Sequence, residues 1–211
     1  MSLSSTERYR QVALLHATSI NQGFLATLGV PFLALMYRAI DQADGSVLIT
    51  EERDDRIMGF VSGAVGMGPV YRRMVRHPLR LMASLAPSLV RPRRLWRVLE
   101  TIRYSRGTTK SADWPDAELL SIAVEPLMRG TGLAERLYRR LENHFVEQGK
   151  PAFRIIVGKA LEPAHRYYRR MGAIPIGAIE VHAGETSIVY VHRLAERGGQ
   201  GSSDSGKSEN S

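Results

Sequence analysis

The sequence contains no cysteine among its 211 residues, which removes disulfides, thiolate nucleophiles and cysteine-ligated metals together. Its core must stand on packing alone. Long apolar runs are missing too. The longest stretches, Gly23 to Tyr37 and Leu81 to Val90, are interrupted by Gly29 and Pro31 or by Pro87, and they fall short of a membrane span. The N-terminus, with Glu7, Arg8 and Arg10, does not read as a signal peptide, so the expected setting is a soluble protein in a reducing cytoplasm. The six histidines, His16, His77, His144, His165, His182 and His192, show no paired spacing of the His-Glu-x-x-His kind. No metal is expected, and each histidine reads as surface or structural. Gly66-Met67-Gly68 lacks both a Walker lysine and the third glycine of a dinucleotide fingerprint, and reads as a turn.

What is abundant is positive charge. The formal net charge is +8, which points to an anionic partner without saying which. Its distribution says more: between Gly66 and Ala112 lie Arg72, Arg73, Arg76, Arg80, Arg91, Arg93, Arg94, Arg97, Arg103, Arg106 and Lys110 against the single acid Glu100.

Hydrophobic periodicity predicts a helix over residues 6–21, with Thr6 as its cap, and another over 31–42, with Pro31 in the first turn. Strands are expected over 46–52 and 57–65 as a hairpin across the acidic turn Arg53 to Asp55. The basic segment, broken at Pro78, Pro87 and Pro92, reads as two or three short inserted helices. Ala117 to Val124 is a nearly continuous apolar run suited to a strand covered on both faces. From Arg129 a helical pattern sets in, with Leu133, Leu137, Leu141 and Phe145 as core, until Gly149-Lys150-Pro151 stops it. A strand over 152–157, a helix over 162–171 and a hairpin over 174–181 and 187–193 complete one domain, residues 1–194. The tail, 195–211, is rich in Gly and Ser and expected to be disordered.

The chemistry concentrates in Ser121-Ile-Ala-Val-Glu-Pro-Leu-Met-Arg-Gly-Thr-Gly-Leu-Ala134, a buried strand followed by a glycine-containing loop that opens a long helix. A helix start has unpartnered N–H groups and partial positive charge, and glycines let an anion approach the backbone closely. Arg129, Gly130, Thr131, Gly132, Leu133 and Ala134 could cradle a pyrophosphate in this way. The segment resembles the coenzyme A loop of the GNAT acyltransferase superfamily: Gln or Arg, two residues, Gly, one residue, Gly or Ala, here Arg129, Gly132 and Ala134. A second stretch, Glu162 to Ala173, resembles the family's downstream helix, with Leu161 where Asn is usual and Ala173 where Phe is usual. The likeness is dense from Ala117 to Gly172 and looser back to Thr6; a customary first strand before Thr6 is either a stub at Ser2 to Ser5 or missing.

That resemblance implies an α/β (α+β) fold with a mixed, largely antiparallel sheet flanked by helices. The basic insertion, about 68–112, would lie between the family's third and fourth strands. It implies acetyl coenzyme A as acyl donor and a small-molecule amine as acceptor. The strand before the loop would splay from its neighbour. The Ile122 N–H would then polarise the thioester, Val124 would bond the pantetheine, and Ala123 would lie between them. Tyr168 matches the general acid of the family, and Glu118 a position that some members use as base, on the same face as Ile122 if the strand keeps its period of two. Each also has an ordinary structural explanation, a core tyrosine and a satisfied strand-end carboxylate.

The insertion has four open explanations: an anionic amino sugar or nucleotide amino sugar as acceptor, an anionic membrane, nucleic acid, or a solvated basic face. Alternation of Arg with Leu, Met, Val and Trp96 favours amphipathic helices over a nucleic-acid arm. Nucleic acid is therefore not an expected partner, while peripheral membrane contact and a homodimer stay open. Two alternatives to acetyl transfer remain at this level, a non-catalytic acyl coenzyme A sensor and transfer of longer acyl chains.

Overall fold

The computed structural model describes residues 3–20, 28–76, 81, 114–182 and 185–195. Helix α1 spans Ser5–Ser19 and α2 Val30–Gln42. Strand β1 (Ser46–Arg53) and strand β2 (Arg56–Val65) form the expected hairpin, followed by α3 (Gly68–Val75). After the insertion come β3 (Ala117–Val124), α4 (Leu133–Glu147), β4 (Ala152–Gly158), α5 (Glu162–Arg170), β5 (Ile174–His182) and β6 (Glu185–Arg193). The six strands lie in the order β1-β2-β3-β4-β6-β5, and only β3 and β4 run parallel. The mixed, largely antiparallel sheet flanked by helices is thus present. The inserted helices expected around Pro78, Pro87 and Pro92, and the tail beyond Ala195, lie outside the described residues.

Local chemistry explains the element ends. Ser4, not Thr6, caps α1: its hydroxyl accepts from the Glu7 N–H at 3.3 Å. Among the described residues no strand precedes this helix, so the basic insertion falls between β2 and β3 of this chain. Asp54 and Asp55 both adopt positive φ, 51° and 57°, the backbone that a two-residue hairpin with naturally twisted strands requires and that Asp tolerates better than most residues. The helix expected from Arg129 begins only at Leu133, because Gly130 and Gly132, at φ 76° and 77°, turn the chain first.

Two apolar layers cover the sheet. On one face α1 and α2 bury Val12, Leu15, Leu33, Tyr37 and Ile40 against Phe60. On the other, α4 lays Leu137, Leu141 and Phe145 over the sheet, all at 0% exposure, each contributing about 1.5–3 kcal/mol by burial. Gly59 and Gly63 of β2 permit that close approach: a Cβ on Gly63 would stand 2.8 Å from both Leu141 Cδ1 and Phe145 Cζ. Polar ties lock α1 in place. Asp41 of α2 accepts from Arg8 (2.8 Å) and Tyr9 (2.6 Å), and Gln11 accepts from the Ile57 N–H at 2.9 Å.

Candidate active site

β3 and β4 pair only at Glu118↔Arg154 and Leu119↔Ile155. Beyond Leu119 the two strands part, and a gap opens toward their carboxyl ends. The direction of the β3 amides in that gap follows from its other neighbour. The Glu125 N–H donates to the Met58 carbonyl of β2 at 2.8 Å. Successive N–H groups of a strand alternate sides, so Ala123 turns its backbone to β2 while the N–H groups of Ile122 and Val124 face the gap. A strand edge with free amides can bond an extended amide-containing ligand as though it were another strand.

The loop after β3 stands at the same end. A single 3-10 turn, Pro126–Met128, leads to Arg129 and then to the two positive-φ glycines. Thr131 is tied back by its hydroxyl to the Met128 carbonyl at 2.7 Å. Gly132 is the N-cap of α4, no side chain caps this helix, and the first intrahelical bond is Arg136 N–H to the Gly132 carbonyl at 3.0 Å. Gly130, Thr131 and Gly132 are exposed, whereas Leu133 is 1% exposed and belongs to the core. Nothing lies within 4 Å of where a Gly130 Cβ would be. The start of α4 is therefore an open, uncapped set of backbone donors, the arrangement that suits a phosphate group. Arg136, donating to the Thr131 carbonyl at 3.2 Å, adds a cation that the sequence pattern did not single out.

Tyr168 lies on α5, which follows β4 across the gap. It is 7% exposed, and burial pushes its phenol well above the usual range. It is protonated at any ordinary pH and is a hydrogen-bond donor before it is an acid. Its neighbour Tyr167 donates to the Ala134 carbonyl at 3.0 Å, which fastens α5 to the first turn of α4. Tyr167 also packs against the core cluster on this side of the sheet, so it joins α5, the start of α4 and the core.

Glu118 is engaged. Its Oε2 accepts from Arg154 Nη2 at 2.7 Å and Nε at 2.9 Å, and Arg154 Nη1 reaches the Pro115 carbonyl at 3.2 Å. The expectation that Glu118 and Ile122 share a face is wrong. Opposite β3, the register shifts between Ser62 (partner Ser121) and Gly63 (partner Leu119), so Leu120 is an extra, bulged residue. The bulge reverses the alternation. Glu118, opposite Ala64, faces the α1–α2 side, while Ile122, opposite Val61, faces α4.

A model of the acetyltransferase (GNAT) family matches residues 18–173. The chain is a member of the GNAT acetyltransferase family. Solved structures agree on the fold: an N-acetyltransferase from Staphylococcus aureus superposes with TM-score 0.57 at 12% identity, covering 92% of this chain and 96% of that one. An aminoglycoside 6'-N-acetyltransferase complexed with coenzyme A gives 0.56 at 12%, covering 90% and 92%. A GNAT-family protein from Desulfovibrio desulfuricans gives 0.54 at 16%, covering 88% and 94%. A comparison with curated proteins finds no match. Within this GNAT chain, Ile122, Val124 and the 129–134 loop lie at the end of β3 where the gap opens, Tyr168 is buried on α5 against the rings of Tyr138 and Tyr190, and Glu118 lies at the gap's closed end on the opposite face. Among the described residues no helix is long and apolar enough to cross a membrane.

Proposed function

We propose that this GNAT acetyltransferase moves an acetyl group from acetyl coenzyme A to an amine of a small, anionic acceptor, such as an amino sugar or nucleotide amino sugar, by direct attack in a ternary complex. The observation that carries the reading is the parting of β3 and β4 beside the uncapped start of α4. Donors for a diphosphate (Arg129 to Ala134) and donors for an amide-bearing arm (Ile122, Val124) lie in sequence along one path.

The residues then have distinct tasks. The Ile122 N–H donates to the thioester oxygen and strengthens that bond as negative charge develops on it. Val124 aligns the pantetheine arm, with Ala123 holding the strand to β2. An amine must lose a proton to attack, and Glu118, paired with Arg154 at the gap's closed end and facing the α1–α2 side, is the carboxylate assigned to take it from an acceptor that enters opposite the coenzyme. Tyr168 gives its proton to the departing thiolate. With its phenol held high by burial, it does so only as thiolate charge appears. The basic segment supports an anionic acceptor: Arg72 of α3 and Arg76 at that helix's C-cap are exposed at its beginning.

The test is thiol release from acetyl coenzyme A against amino sugars, nucleotide amino sugars, amino acids, polyamines and peptide N-termini. Release with a phosphorylated or nucleotide-linked amine, and less with its uncharged counterpart, supports the proposal. Thermal protection by acetyl coenzyme A without release for any amine identifies a binder instead. A folded protein that calorimetry shows taking up no coenzyme A removes the reading altogether.

A further inference from the structure

α1 and α2 between them pack on β1, β2 and β3. The other half of the same sheet face, on β4, β6 and β5, carries a second group of side chains that strand pairing identifies. Glu118 stands beside Arg154, Arg154 opposite Val191, and Val191 opposite Ile174. Two residues further along β4, in the direction in which the gap opens, Ile156 stands opposite Val189 and Val189 opposite Gly177. Directly paired residues share a face, so all of these lie on the Glu118 side. Ile156 and Val191 are half-buried, and Ile174 is 60% exposed.

Trp114 reaches this face. The chain arrives beside β4, where the Pro115 carbonyl accepts from Arg154 Nη1 at 3.2 Å. The indole extends to β5: its Cζ2 lies 3.8 Å from where a Cβ on Gly177 would stand, an ordinary contact distance. Trp114 is partly exposed and, among the described residues, joins neither apolar layer of the core. As cover for the β5 backbone, any apolar side chain would serve here. What the indole adds is a flat π surface with a negative face, which attracts the C–H groups of a sugar ring and the ammonium of an amine. A mostly apolar floor with one aromatic ring and a few charged groups is the usual lining of a small-molecule site. From β5 to β4 is two strand spacings, about 10 Å. A ring seated on Trp114 can thus carry its amine toward the gap, into which the Ile122 N–H is directed.

We propose that Trp114 is an acceptor-binding residue on which the ring of an amino sugar stacks, with its amine directed toward the gap between β3 and β4. This deepens the acetyl-transfer reading and rests on it, since only a thioester in the gap gives that direction a consequence. The platform selects ring-bearing amines over open-chain amines of equal charge, because an aliphatic chain offers no ring face to the indole.

The test has an optical and a kinetic arm, both on the full chain. The sequence has two tryptophans, Trp96 and Trp114, so Trp96→Phe leaves Trp114 as the sole indole emitter. With coenzyme A present and no acetyl group to transfer, glucosamine 6-phosphate and uridine diphosphate glucosamine are titrated against O-phosphoethanolamine, which has an ammonium and a phosphate but no ring. A saturable change in emission is expected with at least one of the sugars, at concentrations about tenfold or more below any change with the open-chain compound. In the thiol-release assay, Trp114→Leu keeps an apolar cover without the π face. It should raise KM for the amino sugar about tenfold while kcat and KM for acetyl coenzyme A stay within about twofold, and Trp114→Phe should recover most of the loss. A merely structural tryptophan would lower the melting temperature without separating sugar from open-chain amine. No emission change with either sugar, or equal responses to sugar and open-chain amine, overturns the proposal, and so does an unchanged KM in a folded Trp114→Leu protein. Failure of the underlying reading looks different: wild-type protein then takes up no coenzyme A or releases no thiol with any amine, while the emission of Trp114 still reports whether a sugar stacks there.

Discussion

At the scale of single residues, the reaction places opposite demands on two buried groups. Tyr168 is proposed to give a proton, yet burial raises its pKa, which makes it a firm donor and a reluctant acid. Tyr168→Phe is therefore expected to lower kcat about 100-fold while leaving the calorimetric affinity for acetyl coenzyme A unchanged; full activity in the variant would leave Tyr168 as a packing residue. Glu118 is proposed to accept a proton while paired to Arg154 at 2.7 Å. Side-chain exposures of 17% and 13% make this a largely buried pair, so truncating one partner strands the other's charge. Arg154→Met should consequently cost more stability than Glu118→Gln, which still offers an acceptor oxygen to the guanidinium. Glu118→Gln should lower kcat/KM at neutral pH and recover toward wild type as rising pH deprotonates the amine without help. A parallel pH profile for the two proteins would remove the base role. Arg154 itself gave no signal in the sequence, being one arginine among many in a basic chain.

At the scale of elements, strand and helix periods were legible wherever one face is simply apolar. Leu133, Leu137, Leu141 and Phe145 mark α4 by their four-residue spacing, and all four are buried. Ala117 to Val124 was readable as β3 to its last residue. The bulge inside it was not, since Leu120 is as apolar as its neighbours and only pairing with β2 reveals the extra residue. Nor could local pattern show that β6 rather than β5 would lie beside β4, because both strands of that hairpin suit either place. Glycines carry the contact between α4 and β2. At Gly63 a Cβ would meet Leu141 Cδ1 and Phe145 Cζ at 2.8 Å and the Glu118 carbonyl oxygen at 3.1 Å. The helix side chains could shift, but the backbone oxygen cannot. Gly63→Ala is expected to cost about 2 kcal/mol of stability in denaturant unfolding and to disturb β3 just before its bulge. At Gly132 space is available, with only Arg136 Nη1 near at 3.6 Å, but φ is 77°. There Gly132→Ala should cost about 1 kcal/mol and weaken coenzyme A binding several-fold by calorimetry. Equal effects of the two substitutions on stability would mean that the α4–β2 approach is looser than these distances.

At the scale of the whole molecule, the sheet divides its labour. On the proposed reading the phosphate cradle and Tyr168 belong to the α4–α5 side, Glu118 belongs to the α1–α2 side, and β3 carries residues toward both. The sequence pointed to the first side through the Arg129–Ala134 loop, whose glycines have few alternative uses. It was silent about the second, where His16 bonds Tyr37 and Ser62 stands opposite Ser121, partners far apart along the chain that each look ordinary alone. That second side should make the whole fold acid-sensitive. Burial lowers the His16 pKa to about 4, against about 6.5 in the unfolded chain. Between those values the unfolded state binds a proton that the native state refuses, so stability falls as pH drops from 6.5 to 4 and the loss is complete below. The full difference is about 3 kcal/mol. Other groups titrate in or near the window, among them Glu142, whose carboxyl sits below its ordinary value because the His192 and Arg139 partners outweigh its burial. They are common to wild type and His16→Asn, and so cancel in a comparison of the two. Measured by urea unfolding, the stability advantage of wild type over His16→Asn should shrink by about 3 kcal/mol between pH 7 and pH 4. An advantage that stays constant across that range would mean that His16 protonates as readily in the native protein as in the unfolded chain, and that the α1–α2 interior is open to water where it is described as closed.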